Sequence, residues 1–442
     1  MNILVIGGGG REHALVWKLR QSPAAGEIHC LPGNAGIEGI AKCADKPVDD
    51  LPAIDKYCKN HNIGLVVVGP EVPLIKGITD YLEQRNYKVF GPNKQAAMLE
   101  GSKAYSKNFM KKYGIPTPRF EIFTHPKQAL DFIKKPVFKN GVEKAGYPIV
   151  VKADGLAAGK GVIICHNQAE AEKAVDMIML KKMFGQAGDK VIMEECLEGE
   201  EASFLCFTDG ETIVPMLPAQ DHKRVYDDDK GPNTGGMGSY APVTKLSAEL
   251  MRKIQERVLN GTLQGLKQEK IRYRGVIFVG IMIVKDEPYV LEYNVRFGDP
   301  ETEVILPLLK TDLVKIIEYI SIGKLKDIKI EWENKSCVCV VMASEGYPGG
   351  FPKGKVITGL DSAAALKETM VFHAGTAYPQ RETAQGLIEY DRSKIVTSGG
   401  RVLGVTTLGT DLREAIDRAY QAVGMIQFEG AHWRKDIGKK GL

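Results

Sequence analysis

From Met1 to about Gly101 the chain repeats one pattern: a short run of consecutive apolar residues, a glycine- or proline-rich break, then a stretch with helical spacing. Ile3 to Ile6, Ile28 to Leu31, Leu65 to Val68 and Lys88 to Phe90 predict strands, while Glu12 to Arg20 and Lys76 to Gln84 predict helices. Strands and helices that alternate in this way form an open parallel sheet with helices on its faces.

The pattern changes after the helical stretch Lys103 to Lys112, at the breaker Gly114-Ile115-Pro116-Thr117-Pro118. From there to about Glu195 a small α+β unit is expected, acting as a mobile flap. A larger mixed segment runs on to about Lys324, with a helix over Ser247 to Lys267, strands over Arg274 to Val284 and Tyr289 to Val295, and a helix over Leu308 to Ile322. The remainder reads as a small β-rich module, with strands Ser336 to Ala343, Gly354 to Thr358 and Arg401 to Thr407 and one late helix, Asp411 to Met425. The chain is therefore expected to be a multidomain protein of α/β and α+β class. Its units are an N-terminal α/β substrate-binding domain (1–102), a central domain (103–325) containing the flap at about 118–195, and a C-terminal β-rich domain (330–442).

Composition narrows the function classes. The chain has 442 residues, 44% hydrophobic and 26% charged, with a formal charge of +4 and dispersed basic residues. That is the balance of a globular enzyme, without the basic footprint of a nucleic-acid binder. The longest apolar run, Gly275 to Val284, is about half of what a bilayer crossing needs, so no membrane span is expected. Met1 to Ile6 runs straight into glycines and reads as a strand, not a signal peptide, which points to the cytoplasm. The eight cysteines show no C-x-x-C pair, so reduced, packed thiols and no zinc are expected. A monomer or weak homo-oligomer is expected.

Chemistry concentrates in a few places. Gly155 to Gly161 lies between two predicted strands with Lys152 before it and Lys160 within it. A Walker loop needs four residues between its glycines and a Ser or Thr after the lysine; here three residues separate Gly155 from Gly159, and Gly161 follows Lys160. The stretch reads as a strand-loop-strand cover for phosphates, against the plainer reading of a hairpin with solvated lysines. On the predicted strand ending at Val295, period-two spacing puts Glu292, Asn294 and Arg296 on one face. A carboxylate and an amide oxygen suit Mg²⁺, which takes the rest of its shell from water and nucleotide phosphates, and Arg296 then meets an anion. The competing reading is an alternating strand with a wet face.

Three further stretches carry weaker signals. Gln220-Asp221-His222-Lys223-Arg224, with the glycine loop around Gly235, suits a small anion, or is an exposed charged loop. Glu194 to Glu201 reads as a strand end and connector where backbone groups could read a purine edge, leaving Glu201 for ribose hydroxyls. Gly7-Gly8-Gly9-Gly10-Arg11-Glu12-His13 opens a helix after the first strand, which favours an anion, read here as a monophosphate with Arg11, Asn34 and Pro70-Glu71 nearby. A dinucleotide site is the rival, but the G-x-G-x-x-G spacing is broken by Glu12 and His13.

The set Lys152, Gly155 to Gly161, Glu194 to Leu197 and Glu292-Tyr293-Asn294 resembles the ATP-grasp ligases. Within them, the motifs at 8–14 (Gly-Gly-Gly-Arg-Glu-His-Ala), 32–36, 68–74, 100–103, 220–224, 231–238, 296–301 and 372–376 are similar to those of the phosphoribosylamine–glycine ligase family, over essentially the whole chain. The stretch Lys134 to Ala145 departs from that family by its length, and the chain has the form of a free-standing ligase. The resemblance implies ATP-dependent joining of glycine to 5-phosphoribosylamine through a glycyl phosphate, giving glycinamide ribonucleotide, ADP and phosphate in de novo purine biosynthesis. It implies ATP with Mg²⁺ or Mn²⁺, held at Glu292 and Asn294. Lys103, Lys152, Gly155, Gly159, Lys160 and Gly161 then serve the phosphates, and Glu194, Glu195, Leu197 and Glu201 the nucleoside. Arg296 and Lys152 act in catalysis, and Gly9, Arg11, Asn34, Glu71, Asp221, Lys223, Gly235 and Asp299 bind the substrates. The alternatives are another ATP-grasp carboxylate–amine ligase and a catalytically idle nucleotide- or NAD-binding protein.

Overall fold

In the computed structural model, which describes residues 1–138, 146–157, 161–382 and 388–442, the strand Asn2–Gly7 is the centre of a five-stranded sheet. Its neighbours are Ile28–Pro32 and Ile63–Val68, both parallel to it, with Lys42–Cys43 and Lys88–Phe90 at the edges. Ile3 and Val5 point into one core and Leu4 and Ile6 into another, so the strand is buried on both faces, as its unbroken apolar run requires. Because the strands are parallel, the loops after Gly7, Pro32 and Val68 gather at one edge of the sheet.

Two expected helices start later than their apolar spacing suggests. Lys76 to Gln84 narrows to Ile78–Glu83, and Gly77, with a φ of 87°, separates it from another helix, Glu71–Ile75. Leu308 to Ile322 narrows to Leu313–Ser321, started by Asp312, which accepts from the Val314 amide at 2.8 Å, and the separate helix Thr302–Leu308 precedes it. Periodicity alone does not place these starts; the backbone turn at Gly77 and the cap at Asp312 do.

The flap is a four-stranded antiparallel sheet in the order Phe120–Phe123, Val191–Glu195, Ile149–Ala153, Val162–Cys165, with the helices Pro126–Lys134 and Gln168–Val175 packed on it. It has its own apolar core, built on Ile149, Val151, Val175 and Met193. The body of the central domain is a second antiparallel sheet, ordered Ile213–Pro215, Glu200–Thr208, Gly275–Val284, Glu287–Asn294.

The third sheet crosses the boundary drawn near 325–330. Its order is Gln220–Asp221, Gly238–Ala241, Ser336–Ala343, Arg401–Gly409, Thr369–His373, so two strands from the central region pair with three from the C-terminal one. Ser336–Ala343 is buried throughout and needs a neighbour on each side; Gly238–Ala241 supplies one of them. All eight cysteines are free, and among the described residues no helix is long and apolar enough to cross a membrane.

Candidate active site

The strand Glu287–Asn294 carries the first cluster. Gly280 pairs with Glu292 but Ile281 pairs with Val290, so Leu291 is an extra residue at a bulge. Beyond the bulge the expected alternation holds: Tyr293 and Val295 are buried in the core, and Glu292, Asn294 and Arg296 are half-buried on the other face. Among the described residues the Glu292 side chain takes part in no hydrogen bond or ion pair. Burial alone would raise its pKa, but Lys103, Lys223, Lys152 and Arg296 hold it down to about 2. Arg296 is held by Glu100 Oε1 (3.0 Å), Asn294 Oδ1 (3.0 Å), the Phe297 carbonyl (3.2 Å) and Glu71 (3.4 Å). Glu100 also accepts from the Val295 amide at 2.7 Å, which fixes the end of the strand.

The described residues contain no group of three or more His, Cys, Asp or Glu arranged to hold a metal by themselves. Glu292 and Asn294 still fit Mg²⁺ as a pair of oxygen ligands. A divalent ion beside four cationic side chains is tenable only when polyanionic phosphates share the space, which is how Mg²⁺ enters nucleotide sites.

Across from this strand, Lys152 in the flap is buried and donates to Glu194 Oε2 at 2.9 Å. Lys107 donates to the same oxygen, also at 2.9 Å. Burial lowers the Lys107 pKa to about 8, with Glu194 only partly offsetting it. Lys103 opens the helix Lys103–Lys112, capped by Ser102. Asp154, at the start of the glycine loop, accepts from Ser102 Oγ (2.9 Å) and the Ala104 amide (3.0 Å), which ties the loop to that helix end. Gly155 adopts φ 129°, open to glycine but strained for other residues. Gly159 and Lys160 lie outside the described residues, as does much of the Lys134 to Ala145 stretch.

The acidic connector is committed to ion pairs. Glu195 meets Arg119 at 2.7 Å, and Glu201 meets Lys223 at 2.8 Å. With Glu194 also engaged, a purine at this connector would meet backbone groups, and Glu201 would have to share its carboxylate with Lys223 to reach a ribose. Leu197 follows the strand end at Glu195.

At the edge of the parallel sheet the glycine loop differs from an open anion cradle. The Gly9 amide donates to Glu12 Oε2 at 2.6 Å, so that amide already has an anionic acceptor within the chain. Arg11 is bound to Glu12 Oε1 (2.6 Å) and to the Phe297 carbonyl (3.1 Å), the same carbonyl that Arg296 reaches. Asn34 caps the following turn by accepting from Gly36 and Ile37, and donates to the Gly8 and His373 carbonyls. All four of its side-chain hydrogen-bonding positions are thus used in holding loops together. Asp299 pairs with Arg401 (3.0 Å), which also donates to the Gly235 carbonyl (2.6 Å). Glu303 is 2% exposed, and burial together with Asp299 pushes its pKa well up. Asp221 is likewise raised, by burial and then by Glu301, which accepts from Ser203 at 2.9 Å.

Of the residues singled out by sequence pattern, Lys103, Lys152, Lys223 and Arg296 thus lie close enough to act on Glu292, and Glu71 and Asp299 close enough to act on Arg11. Lys107, Glu100, Glu301, Glu303 and Arg401 join them without having been expected. Lys107 stands one helical turn after Lys103, a signal that was available in the spacing. Arg401 follows two glycines and reaches Asp299 only through tertiary contact.

Comparison with known proteins matches this chain over its length. Three family models align in order: Phosphoribosylglycinamide synthetase N domain over residues 1–100, the ATP-grasp (A) domain over 101–302 and the C domain over 337–440. A phosphoribosylamine–glycine ligase of Caldanaerobacter subterraneus subsp. tengcongensis is 48% identical over 437 residues, 99% of each chain. The trifunctional purine biosynthetic protein adenosine-3 of Gallus gallus is 50% identical over 444 residues, covering 100% of this chain and 42% of that protein. The crystal structure of phosphoribosylamine–glycine ligase from Thermotoga maritima superposes with a TM-score of 0.82 at 36% identity, covering 99% of this chain and 100% of that one. A biotin carboxylase from Campylobacter jejuni, at 14% identity and a TM-score of 0.72 over 99% of this chain and 94% of that one, shares the fold.

Proposed function

Because the chain belongs to the phosphoribosylglycinamide synthetase family, we propose that this site joins glycine to 5-phosphoribosylamine with ATP, in de novo purine biosynthesis, through the residues described above. The observation that carries the reading is that the Glu292 side chain, on one strand face with Asn294, has no hydrogen-bond or ion-pair partner among the described residues, although Lys103, Lys223, Lys152 and Arg296 all act on it. An unpaired carboxylate beside cationic side chains suits a nucleoside triphosphate with its metal.

In the reaction, a glycine carboxylate oxygen attacks the γ-phosphorus of ATP; an O–P bond forms and the bond to ADP breaks. The amine of phosphoribosylamine then attacks the acyl carbon, phosphate leaves, and the amine nitrogen gives up a proton. Phosphoryl transfer of this kind asks the protein mainly for positioning and charge neutralisation. Lys103 and Lys152 bind the phosphates, with the loop from Gly155 to Gly161, including Gly159 and Lys160, as their cover. Glu292 and Asn294 hold Mg²⁺, which, when bound, withdraws charge from the phosphate oxygens. Arg296 faces the phosphoryl group in transfer and the glycyl carboxylate, kept in place by Glu100 and Glu71. Arg11, Asp221, Lys223, Asp299 and the Gly235 loop border the space for the two acceptor substrates. Backbone groups from Glu194 to Leu197 read the purine, and Glu201 takes the ribose. Mn²⁺ is expected to substitute for Mg²⁺ at the same pair of oxygens.

The test supplies purified protein with ATP, Mg²⁺, glycine and freshly generated phosphoribosylamine. Formation of the amide and of ADP, dependent on both glycine and the amine, is expected. Equal turnover with alanine or serine in place of glycine would overturn the substrate assignment. A closed glycyl pocket discriminates against one methyl group by ~1 to 3 kcal/mol.

A further inference from the structure

Lys107 and Lys152 belong to different parts of the molecule, yet donate to one carboxylate oxygen. Lys107 lies on the helix Lys103–Lys112 of the body; Lys152 and Glu194 lie on adjacent strands of the flap sheet. Both contacts to Glu194 Oε2 measure 2.9 Å, and Glu194 Oε1 is buried without a partner among the described residues. Lys107 and Glu194 are 2% and 1% exposed. Lys107 Nζ also donates to Thr117 Oγ1 at 2.7 Å, and Thr117 in turn donates to the Val290 carbonyl at 2.7 Å. Lys107 therefore touches both the chain leading into the flap, at Thr117, and the flap strand from which the chain leads out, at Glu194.

Two ammonium groups on one carboxylate leave one positive charge in a nearly dry site that is balanced only at longer range, by Glu292. Such a charge is costly until an anion arrives. Removing Lys107 would leave Lys152 and Glu194 as a neutral pair, with Lys152 fully satisfied in the absence of nucleotide. We propose that Lys107 is a positioning residue for ATP binding: by sharing Glu194 with Lys152, it keeps the Lys152 ammonium charge available to a nucleotide phosphate while fastening the flap to the body. The proposal rests on the reading of Lys152 as a phosphate ligand.

A charge cycle tests it. The dissociation constant of a non-hydrolysable ATP analogue with Mg²⁺ is measured by calorimetry, and the KM values for ATP and glycine by turnover, for Lys107→Met, Glu194→Gln and the double variant. Lys107→Met should weaken nucleotide binding about tenfold or more, the scale of one charge-assisted hydrogen bond, with the KM for glycine unchanged. Adding Glu194→Gln to it should recover most of that loss, because Lys152 is then released from its carboxylate. A double variant no better than Lys107→Met would overturn the proposal, since a purely structural lysine gives no such recovery. Should Lys107→Met fail to fold, Lys107→Gln carries the same cycle, its amide donating to Glu194 without charge. Lys152→Met serves as the separate control: unchanged nucleotide affinity in that variant would instead remove the underlying assignment of Lys152.

Discussion

Asn294 Oδ1 accepts a hydrogen bond from Arg296 Nη2 at 3.0 Å, so the oxygen proposed as a metal ligand is held by the guanidinium two residues along the same strand face. A divalent ion at Asn294 and a phosphoryl group at Arg296 would therefore be coupled, the arrival of one loosening the contact that restrains the other.

From this coupling, Glu292→Gln and Asn294→Ala are expected to raise the Mg²⁺ concentration needed for half-maximal rate, with part of the rate recovered as Mg²⁺ is increased. Arg296→Ala should lower kcat at every Mg²⁺ concentration. Titrating Mg²⁺ at fixed saturating ATP distinguishes them; if both metal-side variants respond to Mg²⁺ as the wild type does, the two residues are an ordinary polar strand face.

The flap should close on nucleotide, because an acyl phosphate must be kept from water. Amide exchange across Ile149–Ala153 and Val162–Cys165 is expected to slow when an ATP analogue and Mg²⁺ are added, and Lys152→Ala should lose most of that protection. Identical exchange at saturating nucleotide would make the hairpin static.

Three buried histidines predict a loss of stability in mild acid. His13 is pushed down to about 3 by burial and His373, His222 to about 4 by burial and Arg434, and His373 to about 4 by burial. The unfolded chain takes up these protons first, near pH 6.5, so their contribution is present above that pH and is lost as pH falls toward the folded values. Each costs ~2 kcal/mol between pH 6.5 and 5. His13 Nδ1 accepts from the His373 amide at 2.8 Å, and Asn at position 13 can offer an acceptor that does not titrate. Urea unfolding of His13→Asn should show a midpoint less sensitive to pH over this window than that of the wild type.

Arg401 joins the C-terminal region to Asp299 and the Gly235 carbonyl, both proposed to border the acceptor substrates. Arg401→Ala is expected to lower kcat/KM for phosphoribosylamine by about tenfold or more, the ~1.5–3 kcal/mol of a charged hydrogen bond, with the KM for ATP little changed. Steady-state kinetics with each substrate varied in turn checks this. A loss confined to ATP would place Arg401 with the nucleotide instead.

Local sequence determined much of this protein. Unbroken apolar runs such as Ile3 to Ile6 are buried on both faces because no polar residue interrupts them, and period-two spacing is enough to place Glu292 and Asn294 on a shared face. The two strands flanking the glycine stretch were equally legible, since antiparallel pairing of Ile149–Ala153 with Val162–Cys165 needs only a short connection. What the chain could not reveal locally are partners brought together across long separations. Glu194 joins Lys152 to Lys107, Asp299 meets Arg401, and Asn34, which reads as a substrate ligand, spends its hydrogen bonds on Gly8, Gly36, Ile37 and His373. The strand Gly238–Ala241 belongs to the C-terminal sheet because the buried strand Ser336–Ala343 must satisfy its backbone groups on both edges. Residue types and their spacing set which groups could do chemistry; packing between distant segments decided which of them remain free to do it.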